Sequence, residues 1–249
     1  MAERAPGVIV TGAAGGIGRA LCAAFDAAGY HVVATDRTDA ALPPATRGFI
    51  FDLADLTGED GPARFRGAAL EALDGHPLTA LVNNAAVQLL APTGAIGAAR
   101  LLTSLAVNLV APCLLVETLL AELSAAGGTV INIGSVHAEL SKPGFLPYAV
   151  SKAALAGLTR ALALDLAAAG IRVNEIRPGA TATPMLEAGF ADDPAGYARL
   201  AACQPQGRLV HPDDVAAVAV FLASPAARAM TATAVAVDGG IAARLHDPV

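Results

Sequence analysis

Aromatic and charged residues are scarce in this chain. Phe, Tyr and Trp make up 4% of the 249 residues, with no tryptophan, and charged residues make up 15%. A sequence poor in aromatics and rich in alanine favours close-packed helices over a sandwich of aromatic-rich strands. The formal net charge is −6, and the arginines form no basic stripe interleaved with aromatics. This pattern argues against binding to nucleic acid.

Long uninterrupted hydrophobic runs are missing as well. Apolar residues make up 55% of the chain, yet apolar runs such as Val130–Ile133 have only the length of a strand. None approaches the roughly 18 apolar residues of a membrane span. The N-terminal MAERAPGVIV contains no hydrophobic signal-peptide region. We therefore expect no association with a membrane.

Cysteine and lysine are rare too. The three cysteines, Cys22, Cys113 and Cys203, are odd in number, widely spaced and without a CxxC motif. They are typical of small buried hydrophobes in a reducing compartment, so we expect a cytoplasmic protein without a metal site. Only two of the 16 basic residues are lysines, and both Lys142 and Lys152 fall in the stretch SKPGFLPYAVSK.

Strand-like apolar runs alternate with longer helical stretches along the chain. Continuous Val/Ile runs indicate strands buried on both faces, and strand–helix–strand repetition indicates a parallel sheet with right-handed crossovers. The sequence therefore predicts the α/β class: one Rossmann-type, doubly wound parallel sheet of about seven strands with helices on both faces, in a single domain over residues 1–249.

The predicted elements follow from this alternation. Strands are predicted at Val8–Thr11, His31–Thr35, Arg47–Phe51, Ala80–Asn83, Thr129–Gly134, Arg172–Ile176 and Thr233–Val237. Helices are predicted at Ile17–Ala28, Pro62–Leu73, Leu101–Ser124, Pro147–Ala169 and Asp213–Leu222. The segment 179–206 has no strand signal, and we predict that it is a substrate loop with short helical pieces.

A glycine-rich turn joins the first predicted strand to the first helix, in TGAAGGIG at 11–18. Gly12, Gly16 and Gly18 allow the backbone to turn tightly and to approach a pyrophosphate, while the helix that begins near Ile17 supplies N–H groups. The spacing is GxxxGxG rather than the common GxGxxG. The strand–turn–helix setting is therefore what predicts a dinucleotide site.

Acidic residues end the second and third predicted strands. Asp36 lies 18 positions after Gly18, where a carboxylate can accept both adenosine ribose hydroxyls and repel a 2′-phosphate. This favours NAD over NADP, although Arg37 beside it could hold a 2′-phosphate. Asp52 could accept a hydrogen bond from the adenine amine, and a plain strand-end aspartate is the alternative.

Acid–base residues cluster in the second half of the chain. Tyr148 and Lys152 are four positions apart on a predicted helix and share one face. A free tyrosine, with a pKa of about 10, is a poor base near pH 7, and a nearby ammonium favours the phenolate. Ser135 follows a predicted strand at the ligand-binding end of a parallel sheet, where its hydroxyl can hold a substrate oxygen.

Together these motifs resemble the short-chain dehydrogenase/reductase family over nearly the whole chain. The matching pieces, in family order and spacing, are TGAAGGIG at 11–18, Asp36, Asp52-Leu53, NNAA at 83–86, Asn108, Ser135, YAVSK at 148–152, RPGATATP at 177–184 and VDGG at 237–240. The resemblance implies an NAD(P)-dependent oxidoreductase that acts on CH–OH groups of a small alcohol or ketone.

The resemblance also implies a role for each matching residue. Tyr148 would be the general acid/base, Lys152 would bind the nicotinamide ribose and depress the Tyr148 pKa, and Ser135 would orient the carbonyl or alcohol. Asn108 would hold a kinked helix and a water that relays protons. The implied cofactor-binding residues are Gly12, Gly16, Ile17, Gly18, Asp36, Asp52, Leu53, Asn84, Tyr148, Lys152, Gly179, Thr181 and Thr183.

Two positions depart from the family pattern. Ala86 stands where the family usually has the glycine of NNAG, and its methyl group could narrow the cofactor pocket. Ala232 stands where glycine usually precedes the last strand. We expect Ala232 to affect packing or subunit contacts more than chemistry.

The substrate pocket is predicted beside Ser135 and Tyr148. Gln88 and His137 resemble the pair that helps to grip a substrate carboxylate in the 3-hydroxybutyrate dehydrogenase branch. That branch has a further lysine three positions before its tyrosine, where this chain has Phe145. A small hydroxy acid, a polyol, a sugar and another secondary alcohol all stay open as substrates.

Two charged residues near this pocket have two interpretations each. Glu139 and Lys142 could form a solvated loop pair, or Lys142 could reach a substrate anion. His137 could hold substrate or bond to the backbone of its own loop.

Three functions and two assemblies are compatible with the sequence. An NAD-dependent alcohol dehydrogenase is the leading interpretation; the alternatives are a non-catalytic dinucleotide-binding regulator and a dehydration or epimerisation at the same site. The long helices are alanine- and leucine-rich on most faces, which exceeds what one sheet covers, so we predict a homotetramer or homodimer.

Overall fold

The computed structural model of the chain describes residues 4–38, 42–43 and 46–245. Seven parallel strands form one sheet in the order β3-β2-β1-β4-β5-β6-β7. The strands are β1 (Gly7–Thr11), β2 (His31–Asp36), β3 (Arg47–Ile50), β4 (Leu78–Asn83), β5 (Thr129–Ile133), β6 (Arg172–Pro178) and β7 (Ala234–Val237). The strand order reverses between β1 and β4, which confirms the predicted doubly wound, Rossmann-type sheet.

Helices cover both faces of this sheet. They are α1 (Gly16–Ala27), α2 (Gly61–Leu73), α3 (Gly97–Leu105), α4 (Ala111–Thr118), α5 (Leu120–Ala126), α6 (Leu146–Asp165), α7 (Pro184–Ala188), α8 (Pro194–Ala202) and α9 (Pro212–Ala223). One core lies under α1 and α9, and a second core lies under α2, α4 and α5. Both faces of the central strands are therefore buried, which is why β1 and β5 read as unbroken apolar runs.

The long helix predicted at Leu101–Ser124 is divided into pieces. A π-helical turn, Ala106–Val110, separates α3 from α4, and a break at Leu119 separates α4 from α5. Pro112 has no N–H to donate to the carbonyl four residues earlier, so a regular α-helix cannot continue through this point. Periodicity alone does not reveal such a turn, because the apolar pattern runs through it.

The helical stretch Gly97–Thr118 has a mean hydropathy of 1.8, so it could span a membrane by length and composition. Our sequence expectation rested on uninterrupted apolar runs, and Thr103, Ser104 and Asn108 interrupt this one. Ser104 and Asn108 are buried within the fold, and α4 belongs to the second core. In total, 33% of the most apolar window of this helical stretch is buried.

Candidate active site

The glycine-rich turn between β1 and α1 is tightly packed. Gly12 has φ +63°, and a Cβ atom there would lie 2.7 Å from the Ala85 Cα. A Cβ at Gly18 would lie 2.1 Å from the Gly12 carbonyl oxygen, and one at Gly16 would lie 2.9 Å from the Thr183 Cγ2. Side chains are excluded here, which leaves the N-terminus of α1 accessible to a phosphate group.

Asp36 ends β2, and Asp52 lies two residues after β3. One Asp36 carboxylate oxygen accepts from the Ala14 N–H at 3.0 Å, and the other accepts from the Arg37 N–H at 2.7 Å. Each oxygen keeps a further lone pair for a ribose hydroxyl. Asp52 accepts from the Ala54 N–H at 3.0 Å and caps a short 3₁₀ turn, while Leu53 is buried. Asp52 therefore has at least the structural role of a strand-end aspartate.

Among the remaining predicted cofactor residues, Asn84 and Thr183 contact the same turn. The Asn84 amide donates to the carbonyls of Thr11, at 2.9 Å, and Gly12, at 3.0 Å. Thr181 is buried and forms an isolated bridge with Val210. Thr183 caps α7 and contacts Gly16 across the turn. A Cβ at Gly179 would lie 2.9 Å from the Asp238 Cα, so this residue has to be small.

Tyr148 and Lys152 lie on the first turns of α6, which begins with Leu146 and Pro147. Lys152 is 2% exposed, and its Nζ donates to the Ile133 carbonyl at 2.7 Å. The same Nζ lies 5.7 Å from the centroid of the partly exposed Tyr148 ring. An ammonium and a phenol thus meet at the carboxyl end of β5.

Burial controls the charges of this pair. Desolvation lowers the pKa of Lys152 to about 8, against a smaller upward effect of Glu175. Desolvation raises the pKa of Tyr148, and the Ser135 hydroxyl is the group that lowers it. The predicted depression of the Tyr148 pKa by Lys152 is therefore not found among the described residues.

Ser135 contacts Tyr148, and Asn108 contacts the helix turn before Lys152. Ser135 is buried directly after β5, and its oxygen accepts from the His137 N–H at 3.1 Å. Asn108 lies in the π-helical turn and donates to the Ser151 hydroxyl and the Val87 carbonyl, both at 2.9 Å. Ser151 lies one position before Lys152, so Asn108 acts on α6 through Ser151 rather than through a direct bond to the lysine.

A family model described as enoyl-(acyl carrier protein) reductase matches residues 12–242. Protein FixR of Bradyrhizobium diazoefficiens is 40% identical over 251 residues, covering 94% of this chain and 85% of its own. The chain belongs to the short-chain dehydrogenase/reductase family. Within this family, L-fucose dehydrogenase of Mus musculus is 38% identical, covering 88% of this chain and 82% of its own.

A solved structure from Beutenbergia cavernae, with NADP bound at low occupancy, has the same architecture. It matches with a TM-score of 0.85 and 34% identity, covering 96% of this chain and 97% of that one. The glycine-rich turn, the Asp36 carboxylate and the donors of Lys152 together fit a nicotinamide dinucleotide. The turn and Asp36 lie at the carboxyl ends of β1 and β2, whereas Lys152 comes from α6.

An open groove of about 460 Å³ is lined by Ala149, the neighbour of Tyr148, but not by Tyr148 or Ser135. It lies between the first turns of α6 and the loop before them. Its lining residues are Ala91, Thr93, His137, Ala138, Glu139, Leu140, Ser141, Lys142, Pro143, Gly144, Leu146, Ala149, Val150 and Ala153. Gln88 is exposed after β4 and does not line the groove, so the structure does not bring it to His137 there.

Aromatic stacking fixes His137 next to Tyr148. The His137 ring lies 4.7 Å from the Phe145 ring and 6.0 Å from the Tyr148 ring, between centroids. Its Nδ1 lies 3.2 Å from the Leu140 carbonyl oxygen, to which it must donate. Desolvation lowers the pKa of His137, with a further downward effect from Lys142. The ring is therefore neutral near pH 7, and its Nε2 is an acceptor.

The two charged loop residues do not pair with each other. Glu139 bonds to Arg177 on β6, whereas the Lys142 ammonium lies 4.3 Å from the centroid of the Phe145 ring. The interpretation of a Glu139–Lys142 loop pair is thus wrong. Glu139 pairs with Arg177 rather than with Lys142 because the Arg177 guanidinium is already fixed by a neighbouring carboxylate on the same strand face.

Sequence reasoning missed that neighbouring carboxylate, Glu175. Glu175 and Arg177 alternate with buried apolar residues in the β6 sequence RVNEIRP. Charged residues inside a strand that is buried on both faces are unusual. That pattern could have identified an internal ion pair directly from the sequence.

Proposed function

We propose that this chain is an NAD-dependent dehydrogenase that interconverts a secondary alcohol and a ketone, with Tyr148 as the general acid/base. The observation that carries the proposal is the grouping of Tyr148, Lys152 and Ser135 at the carboxyl end of β5, beside the glycine-rich turn. Family membership supports oxidoreduction of CH–OH groups, as the name of the mouse relative indicates for that protein.

The residues of the chain have separate tasks in this reaction. In alcohol oxidation the Tyr148 phenolate takes the hydroxyl proton, and in ketone reduction the phenol returns it. The Ser135 hydroxyl holds the substrate oxygen. Lys152 keeps two N–H donors after bonding to Ile133, and these donors suit ribose hydroxyls. The nicotinamide, when bound, supplies the carbon that accepts or donates the hydride.

We infer NAD rather than NADP from the Asp36 carboxylate, which would repel a 2′-phosphate. The NADP in the Beutenbergia cavernae structure marks NADP as the alternative, through Arg37. Steady-state assays with both cofactors decide between them. Equal or better kcat/KM with NADP would overturn the NAD assignment without touching the reaction class.

The reaction itself is tested with Tyr148→Phe, which keeps the ring and removes the transferable proton. We expect turnover to fall by roughly 10²–10⁴-fold, with NADH binding changed little. The measurement combines NADH formation from a panel of secondary alcohols with NADH binding by fluorescence. Unchanged biological activity of the Phe variant would favour the non-catalytic regulator, and product formation without net NADH would favour dehydration or epimerisation.

The groove supports a neutral hydroxyl-bearing substrate, such as a polyol or sugar, over a small hydroxy acid. His137 offers an acceptor nitrogen beside Tyr148, which can accept from a substrate hydroxyl but repels a carboxylate. Phe145 occupies the position where a carboxylate-binding lysine would be expected, and Lys142 lies over its ring. The Phe145 ring thus separates the Lys142 ammonium from the acceptor nitrogen of His137.

His137 variants test this substrate assignment. His137→Gln keeps an acceptor and is expected to retain activity on neutral polyols, whereas His137→Leu is expected to raise KM by roughly tenfold, about the value of one hydrogen bond. Better kcat/KM for hydroxy acids than for neutral polyols in the unmodified protein would instead support the hydroxy-acid dehydrogenase.

We further propose a cytoplasmic homotetramer built of single domains over residues 1–249, in which 179–206 closes on substrate. The exposed apolar side chains of α3 and α6 support the assembly, since Leu102 is 63% exposed and Leu164 is 75% exposed. The contact between Thr183 and Gly16 supports the loop assignment, because it brings the segment to the cofactor turn.

A further inference from the structure

A fully buried carboxylate lies behind the proposed active site. Glu175 is 1% exposed on β6, and Arg177 two positions later shares its strand face. The Arg177 Nε lies 3.1 Å from one Glu175 oxygen, and Nη2 donates to the other at 3.1 Å. The contact between Nε and Oε1 lies outside hydrogen-bond geometry. The Glu175 Oε1 therefore has no hydrogen-bond donor among the described residues.

The Glu175 carboxylate occupies space that a side chain at position 134 would fill. A Cβ atom at Gly134 would lie 2.0 Å from the Glu175 Oε1 and 2.8 Å from its Cδ. Gly134 follows Ile133, whose carbonyl receives the Lys152 ammonium. The carboxylate and the ammonium therefore lie against consecutive residues at the end of β5, both out of contact with water.

The charged groups around Glu175 come from three elements. Burial raises the pKa of Glu175, and the charges of Arg177 on β6, which contacts it directly, and of Lys152 and Arg160 on α6 oppose that rise. Glu139, from the loop that lines the groove, bonds to the far side of Arg177. Among the described residues, Glu175 is the acidic group whose charge acts on Lys152. Arg177 fixes the carboxylate, and Glu139 continues the ion chain to the surface.

We propose that Glu175 is a positioning residue whose buried carboxylate keeps the Lys152 ammonium protonated and seated on the Ile133 carbonyl. The inference deepens the proposed function, on which it rests for the role of Lys152 in turnover. Its physical basis is that a buried ammonium needs a nearby anion to stay charged. The glycine at position 134 is then required because it leaves room for that anion.

The rarity of lysine allows a direct test. Protein labelled with ¹³C-lysine gives NMR signals from two residues, Lys142 and Lys152. The Lys142→Arg variant lacks one of these signals and so assigns both. In the unmodified protein we expect the Lys152 signal to titrate with a midpoint near pH 8. In the Glu175→Gln variant we expect this midpoint to be lower by about one pH unit or more. Glu139→Gln, which removes the exposed end of the ion chain, is the matched control and should leave the Lys152 midpoint within about 0.3 unit, well under a one-unit opposite-charge effect.

An equal Lys152 midpoint in the unmodified protein and in Glu175→Gln would overturn the proposal. If Glu175→Gln does not fold, the double variant Gly134→Ala/Glu175→Ala replaces it, because the new methyl group fills space that the carboxylate vacates. The same downward shift is expected there. Failure of this shift in a folded double variant overturns the proposal as well.

Binding and kinetics separate this inference from the proposed function. NADH affinity should weaken as the pH rises through the Lys152 midpoint. This weakening should occur at a lower pH in Glu175→Gln than in the unmodified protein. If the NMR midpoint shifts but no alcohol or ketone is turned over, the dehydrogenase proposal fails and the charge assignment stands. If turnover is normal and the midpoint does not move, Glu175 has only a structural role.

Discussion

At the scale of single residues, burial of the Lys152 ammonium destabilises the folded protein. The pKa of an unfolded lysine is near 10.4, whereas burial lowers that of folded Lys152 to about 8. Below pH 8 both states are protonated, and the folded state bears the full penalty of the buried charge. Between about pH 8 and 10.4 the unfolded state binds more protons, so stability rises with pH; above that range the penalty is gone.

We therefore predict that Lys152→Met stabilises the protein while it abolishes turnover. At pH 7 the free energy of unfolding should rise by about 2 kcal/mol, the desolvation penalty less one hydrogen bond. The gain should vanish toward pH 10. Urea denaturation of both proteins across this range measures the difference, with the exposed Lys142→Met as a neutral control. A Met variant less stable at pH 7 would show that the ammonium is well compensated.

Ala232 and Asp74 are the described non-glycine residues with a positive φ, and Ala232 is the one without a polar side chain. For Ala232 we expect backbone strain. Its φ is +58°, a left-handed conformation that glycine adopts freely, while its N–H donates to the Val173 carbonyl at 2.8 Å. We predict that Ala232→Gly stabilises the protein by about 1 kcal/mol, because the strain disappears and the hydrogen bond stays. Thermal unfolding measures the effect. Ala234→Gly, within β7, should instead destabilise by a similar amount, and stabilisation by both changes would contradict the explanation.

At the scale of elements, local patterns account for the sheet better than for the site. All seven strands were predictable, because β1, β4, β5 and β7 are short apolar runs and the other three continue the strand–helix alternation. The π-helical turn was not, since it depends on Pro112 and on Asn108 bonding to a distant segment. Tyr148, Lys152 and Ser135 were predictable from spacing and family resemblance. The Glu139–Arg177 bond was not, because it joins residues 38 positions apart.

The π-helical turn is held by a single side chain. Asn108 donates to Val87 and Ser151 and accepts from the Val87 N–H at 2.8 Å. Asn108→Leu leaves buried polar groups unpaired, so we predict a loss of about 2–3 kcal/mol in the free energy of unfolding. We also expect a lower kcat, because Ser151 adjoins Lys152. Exposed Thr103→Ala on α3 should change neither quantity, and a Leu variant of full stability would contradict this account.

At the scale of the whole molecule, large apolar side chains on two helices stay exposed outside the two cores. They include Leu102 of α3 and Leu146, Val150 and Leu164 of α6, of which Leu146 and Val150 also line the groove. Scattered exposed leucines need no explanation, but a helix that carries three of them on its outer face indicates an interface. Because α6 also carries Tyr148 and Lys152, such an interface would hold the catalytic helix from behind.

The assembly is testable by placing a charge on that surface. Sedimentation should give a multiple of the 24.8 kDa chain mass, and Leu164→Glu should shift it toward the monomer because a buried unpaired charge is costly. Ile50→Glu, at an exposed apolar position on β3, is the matched control and should keep the assembly. If α6 depends on the interface, the Leu164 variant should lose kcat in parallel with dissociation, whereas a fully active monomer would show that each chain positions its own site unaided.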